Sequence, residues 1–191
     1  GWGIQHDWDT FDFDNSLMRF RGAENCEVTA CHFTATGGSA IRLDLYAQNI
    51  DINNNLIAYV GNMGILLCGY GPGTKDVNRN NIIQNNIVHH VGEIIWNGHG
   101  IFAWQSGNNK IINNTVHDVP RKGIGLCGVR CQMFMAPDKW WDEGCKTIRW
   151  DEIKDFLGDD LGVDDSRVYA ERYAPFLHSR NNLVENNLVE N

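Results

Sequence analysis

One phrase recurs along this chain and limits its fold more than any other feature. It reads QNIDINNNLI at 48–57, NNIIQNNIVHHV at 80–91, NNKIINNTVH at 108–117 and NNLVENNLVE at 181–190. Aligned on Asn55, Asn86, Asn114 and Asn187, the copies place Ile52, Ile83, Ile111 and Val184 three residues upstream. Ile57, Val88, Val116 and Val189 stand two residues downstream, and Asn49, Asn80, Asn108 and Asn181 six upstream. A weaker copy precedes them with Asn25, Val28, Cys31 and Phe33. Successive copies are 24, 31, 28 and finally 73 residues apart, so the last interval leaves room for a large excursion. A second anchor keeps step: AIRLDL (40–45), GILLCG (64–69), GIFAWQ (100–105) and GIGLCG (123–128). The alternation has the period of a strand, and each phrase is too short for a stable helix.

Short strands repeating at such intervals predict an all-β chain coiled as a parallel β-helix. One coil cannot bury its apolar side alone, whereas stacked coils share a continuous core. Asn55, Asn86, Asn114 and Asn187 then fall at one corner of successive coils. There their amides can bond to each other and to turn backbones, satisfying polar groups that burial would otherwise leave unpaired. Cys31 replaces the amide in the first copy. The LxxLxLxxN spacing of leucine-rich repeats is missing. The expected layout is a single domain over 1–191: a lead-in (1–20), regular coils (21–127), an insertion (128–180) and a returning coil (181–191). The insertion is expected to be partly helical, because WDEIKDFLG (150–158) sets Ile153, Phe156 and Leu157 on one stripe. A solenoid end exposes core and strand edges. The chain is therefore expected to be part of a longer protein, whose downstream coils or a partner chain cover that end.

Composition narrows the function. A formal net charge of −8 disfavours a nucleic-acid backbone as partner. No apolar run reaches membrane-spanning length. The six cysteines include no paired CxxC metal signature, so no metal or cofactor is expected. Cys127 has Cys131 and Cys145 as possible disulfide partners, with nothing to choose between them. GYGPGTKDVN (69–78) is glycine-rich and contains Lys75, but lacks the GKS/T ending of a nucleotide loop.

Excursions leave a solenoid at its corners and build a binding face. Three qualify: 69–79, 89–99 and 128–180. All root near the second anchor, where Arg42, Tyr46, Tyr70, His99, Phe102, Trp104 and Gln105 gather, joined by His178 and Arg180 from the returning segment. Aromatic faces with amides and charges suit sugar rings and their hydroxyls. Glycoside hydrolysis requires two carboxyl groups across the scissile bond. The candidates are Asp44, Asp76 and one from the insertion, with Glu171 ahead of Asp151 and Asp164. Structural roles stand beside these: Asp44 as acceptor for turn amides, Trp104 as a side wall, His178 and Arg180 as ties for the excursion. Of His89 and His90, one is expected to face solvent. Trp140, Trp141 and Trp150 are expected to pack the insertion.

The segments AENCEVTACHFTATGGSAIRLDLYAQN, GYGPGTKDVN, GIFAWQSGNN and NNLVENN resemble secreted, right-handed parallel β-helix proteins that act on polysaccharides, above all glycoside hydrolase family 141. The likeness spans nearly all of 16–191. It implies a right-handed, single-stranded, pectate-lyase-like solenoid, and an α-L-fucosidase- or xylanase-type hydrolase with paired carboxylates, or the substrate-binding part of one. It also implies a polysaccharide or oligosaccharide partner and a secreted or periplasmic location. No catalytic carboxylate of the family maps onto a particular residue. Two other classes remain: a lyase or epimerase, with Arg42, Lys75 and Arg180 facing a uronate, and a non-catalytic binding or structural β-helix. Opposed carboxyls would mark the hydrolase, an Arg/Lys-lined groove the lyase, and a flat face a binding protein.

Overall fold

The computed structural model describes residues 16–69, 75–128 and 178–190. The first coil holds β1 (Ser16–Glu24), β2 (Glu27–Thr29) and β3 (His32–Thr36), and the second β4 (Ser39–Gln48), β5 (Asp51–Asn53) and β6 (Leu56–Val60). The third holds β7 (Ile65–Cys68), β8 (Asn78–Arg79), β9 (Ile82–Gln84) and β10 (Ile87–Val91). The fourth holds β11 (Ile101–Trp104), β12 (Lys110–Ile112) and β13 (Thr115–His117). The last described coil is β14 (Ile124–Cys127), β15 (Leu183–Glu185) and β16 (Leu188–Val189). Equivalent strands stack in parallel into three sheets. The first runs β1-β4-β7-β11-β14 with β8 also on β4, the second β2-β5-β9-β12-β15, and the third β3-β6-β10-β13-β16. The solenoid is thus an all-β, three-sheet parallel β-helix. Part of the expected lead-in is a full strand, since β1 begins at Ser16 and pairs with β4. The expected insertion, with its helix at 150–158, lies outside the described residues except at its two ends.

The aliphatic columns stack in register inside the tube. Ile41, Ile65, Ile101 and Ile124 meet in the first sheet; Val28, Ile52, Ile83 and Ile111 in the second; Phe33, Ile57, Val88 and Val116 in the third. All but Ile124, which packs at the margin, belong to one buried cluster. Burial removes apolar surface at about 25 cal/mol per Å², the main favourable term of the fold.

The asparagine doublets turn the corners. The first member adopts a left-handed backbone, with φ of 55–60° at Asn80, Asn108 and Asn181 on one corner, where the single asparagines Asn25 and Asn49 do likewise. On the next corner Asn54, Asn85, Asn113 and Asn186 do the same. Asparagine tolerates this region better than most side chains. The second member turns inward and bonds up the stack. Oδ1 of Asn86 accepts from the backbone N and Nδ2 of Asn55 at 3.0 and 2.9 Å. Asn114 receives Asn86 in the same way, at 3.0 Å twice. Asn187 receives Asn114 at 2.9 Å twice. Cys31 enters this ladder through its backbone N, 3.0 Å from Asn55 Oδ1. A second ladder fills the other corner. The backbone N of Ile50 donates to Asn81, Asn81 to Asn109 and Asn109 to Asn182, at 3.1, 2.9 and 2.9 Å.

Candidate functional site

Strand β4 points Ile41 and Leu43 into the tube, and therefore Arg42 and Asp44 away from it. Two outward rows result. Arg19, Arg42, Leu66, Phe102 and Gly125 form one; Arg21, Asp44, Cys68, Trp104 and Cys127 form the other. Asp44 is fully buried, and three arginines converge on it. Its Oδ1 accepts from Arg42 Nη2 at 3.1 Å and Nε at 3.2 Å. Its Oδ2 accepts from Arg19 Nε at 2.8 Å and Arg21 Nε at 2.6 Å, and each of these arginines adds a contact through Nη2. Burial alone would raise the Asp44 pKa, but the charge of Arg42, the hydrogen bond and charge of Arg19 and the charge of Arg21 hold it below the usual carboxylate range. A carboxylate so held stays ionised and does not deliver a proton. Three guanidiniums thus share one carboxylate, and the Arg19 and Arg21 side chains keep 25% and 49% of their surface exposed.

Along β7 and β11 the two rows are as dry as the tube interior. Leu66, Cys68, Phe102 and Trp104 are buried, as is His99. The His99 ring stacks on Phe102 with centroids 4.4 Å apart and planes 12° apart. Burial, reinforced by the nearby charges of Arg121 and Lys122, lowers the His99 pKa to about 3. Its imidazole is therefore neutral at ordinary pH.

The other expected residues form separate pairs. Asp76 Oδ2 lies 3.4 Å from Arg180 Nη2, and its Oδ1 is buried without a hydrogen bond among the described residues. The backbone N of His178 donates to Gln105 Oε1 at 3.1 Å. Tyr46 is half-buried. Tyr70, Asp151, Asp164 and Glu171 lie outside the described residues, as do Trp140, Trp141 and Trp150. Arg42 and Asp44 come together as their spacing suggests, and Arg19 and Arg21 join them. Arg19 and Arg21 were not singled out from sequence, although RFR (19–21) echoes the i, i+2 spacing of Arg42 and Asp44. Among the described residues no group of three or more His, Cys, Asp or Glu is arranged to hold a metal ion, and no helix is long and apolar enough to cross a membrane. Cys127 carries a free thiol, with its pKa raised by burial.

The family model for a right handed beta helix region matches residues 11–132, more than half of the chain. The chain belongs to that family. Comparison with curated proteins and with solved structures found no match.

The right-handed β-helix carries a further polar cluster on the outer side of its third sheet. Pairing there runs Thr34–Ala58–His89 and Thr36–Val60–Val91, passing over Ala35, Tyr59 and His90. Those three residues and Asp118 have φ between 48 and 57°. One left-handed residue per coil turns two successive side chains outward before the next returns to the core. His89 and His90 consequently both point outward and are half-buried, in place of the one expected to face solvent. The sequence hid this because no glycine or asparagine marks the irregularity.

Proposed function

We propose that this right-handed β-helix is the saccharide-binding part of a polysaccharide-processing protein, acting at the arginine-rich end of the first sheet's outer side. The observation that carries this reading is the convergence of Arg19, Arg21 and Arg42 on buried Asp44. Asp44 fixes the guanidiniums in place. The exposed edge of Arg21, whose side chain keeps 49% of its surface, offers a planar donor array suited to sugar hydroxyls and carboxylates. Family membership supports the reading, because this solenoid often serves carbohydrate-active proteins. Asp44 then acts as a positioning group, and hydrolysis of the fucosidase or xylanase type falls to other carboxyls, with Asp76 and Glu171 as candidates. A secreted or periplasmic setting follows from a polysaccharide partner. A second reading draws on the same arginines: a lyase or epimerase acting on a uronate, whose carboxylate they would neutralise.

The test is affinity electrophoresis against xylan, fucosylated xyloglucan, polygalacturonate and alginate, with product release followed in parallel. The chain is expected to be retarded by at least one of them. Arg21→Ala, at a half-exposed side chain, should weaken that retention about tenfold, the equivalent of roughly 1.4 kcal/mol. Reducing ends without unsaturated products favour the hydrolase, and unsaturated uronates the lyase. No retention by any polymer, or retention untouched by Arg21→Ala, overturns the proposal.

A further inference from the structure

The outer side of the third sheet concentrates aromatic and titratable groups that the first-sheet site does not use. The rings of His89 and His117 stack with centroids 4.9 Å apart and planes 6° apart. Tyr59 lies 4.8 Å from His90 and 5.6 Å from His89, ring centre to ring centre. His89 Nδ1 and His90 Nδ1 are 2.8 Å apart, so one holds the proton and the other accepts it. His117 Nδ1 lies 2.7 Å from Asp118 Oδ2, and His90 Nδ1 lies 3.8 Å from the same oxygen. Beside this network is a concavity of about 450 Å³, lined by His90, Gly92, Glu93, Asp118, Val119 and Pro120 among others. Tyr59, 54% exposed, packs its ring against His90 of that lining, and the loop carrying Glu93 also exposes Trp96.

The backbone shapes this patch. At the two asparagine corners every left-handed position except Ala30 is an asparagine. In the third-sheet column the same conformation is held by Ala35, Tyr59, His90 and Asp118, and Leu45 and Gln105 adopt it beside the first sheet. Histidine and aspartate are enriched in this region, whereas a bulky residue such as Tyr59 is an outlier there, and retained strain of that kind is characteristic of functional positions. Gly92 holds the floor: its φ is 71°, and a Cβ there would lie 2.4 Å from Pro120 Cγ. The arrangement combines an exposed ring face, a concave floor and several hydrogen-bonding groups around it. That is the complement of a pyranose, with its apolar C–H face and hydroxyl rim. Two carboxylates at the rim repel a uronate and favour an uncharged ring.

We infer that Tyr59, His90, Glu93 and Asp118 form a second saccharide subsite for a neutral sugar unit, stacked on Tyr59 and held through its hydroxyls. The inference rests on the saccharide reading above but concerns another face of the solenoid. Neutral oligosaccharides from xylan and xyloglucan are titrated into the full chain while the Tyr59 ring and His89, His90 and His117 imidazole resonances are followed. These should shift with at least one oligosaccharide. Tyr59→Ala should weaken its binding about tenfold, Tyr59→Phe should stay within about twofold, and Glu93→Gln should weaken it about threefold. Thermal unfolding of each variant confirms that it is folded, and Glu93→Gln carries the test if Tyr59→Ala is not. If these resonances stay still, or neither variant weakens binding, the subsite is refuted. Retention that still responds to Arg21→Ala in that case leaves the first-sheet reading standing. If the wild-type chain binds no saccharide at all, both proposals fall.

Discussion

An asparagine of a corner doublet does one of two jobs, decided by its place in the pair. Asn85 takes up a left-handed backbone at the surface, whereas Asn86 is buried and links three coils. Asn86→Ala leaves the backbone N and Nδ2 of Asn55 without their acceptor, and the Ile52 carbonyl without Asn86 Nδ2, which lies 2.9 Å away. Buried groups stripped of partners cost about 1–3 kcal/mol each, so Asn86→Ala should lose about 3 kcal/mol in urea unfolding. Asn85→Ala gives up only conformational tolerance and should lose about 1 kcal/mol, and Asn85→Gly close to none. Equal losses at both positions would mean that the ladder adds nothing. His99 makes a pH prediction at the same scale. Burial, then Arg121 and Lys122, depress its folded pKa to about 3. The unfolded chain binds that proton near pH 6.5, and the folded chain refuses it. Stability present above pH 6.5 therefore declines as pH falls towards 3, by up to about 1.4 kcal/mol per unit from this residue. Between pH 7 and 5 the urea midpoint of the wild type should fall more steeply than that of His99→Gln. Parallel curves would rule out a buried neutral imidazole.

At the scale of strands, pattern and outcome agree where side-chain direction follows simple alternation. The columns through Ile52, Ile57 and Ile65 were legible because an inward residue every second position leaves a plain trace. The ladder through Asn55, Asn86 and Asn114 was legible because flanking aliphatics fixed its phase. The ladder through Asn81, Asn109 and Asn182 was not. Its column holds Cys26 and Ile50 in the first two coils, so no constant residue type traces it along the chain. The third-sheet cluster was missed for a related reason: Tyr59, His90 and Asp118 occupy left-handed positions that their residue types do not advertise. Of the first-sheet site, Arg42 and Asp44 share a face by their spacing. Their neighbours Arg19 and Arg21 depend on the register between β1 and β4, which is a property of the stack. Alternation also reports only which way a side chain points. Phe102 and Trp104 point away from the tube, as a groove requires, yet they are buried.

That burial changes how the whole molecule is held together. In a solenoid with one core, outward residues tolerate truncation, and surface changes usually stay within about 0.5 kcal/mol. Here Arg42, Leu66, Cys68, Phe102 and Trp104 line three successive strands on the outer side of the first sheet, each no more than 3% exposed. Over β7 and β11 the sheet is therefore dry on both faces, and these strands read as continuous apolar runs such as ILLC in β7. Leu66 and Leu67 are adjacent, both fully buried, and point to opposite faces. Truncation of either should open a cavity and cost about 2–5 kcal/mol. Ile87, 47% exposed on the third sheet, supplies the contrast, and its truncation should cost about 0.5 kcal/mol. Urea unfolding of Leu66→Ala, Leu67→Ala and Ile87→Ala measures all three. If Leu66→Ala groups with Ile87→Ala, the tube alone carries the stability and its outer layer is incidental. If it groups with Leu67→Ala, the first sheet is shared between two cores, and Asp44 with its arginines marks the charged border of the second.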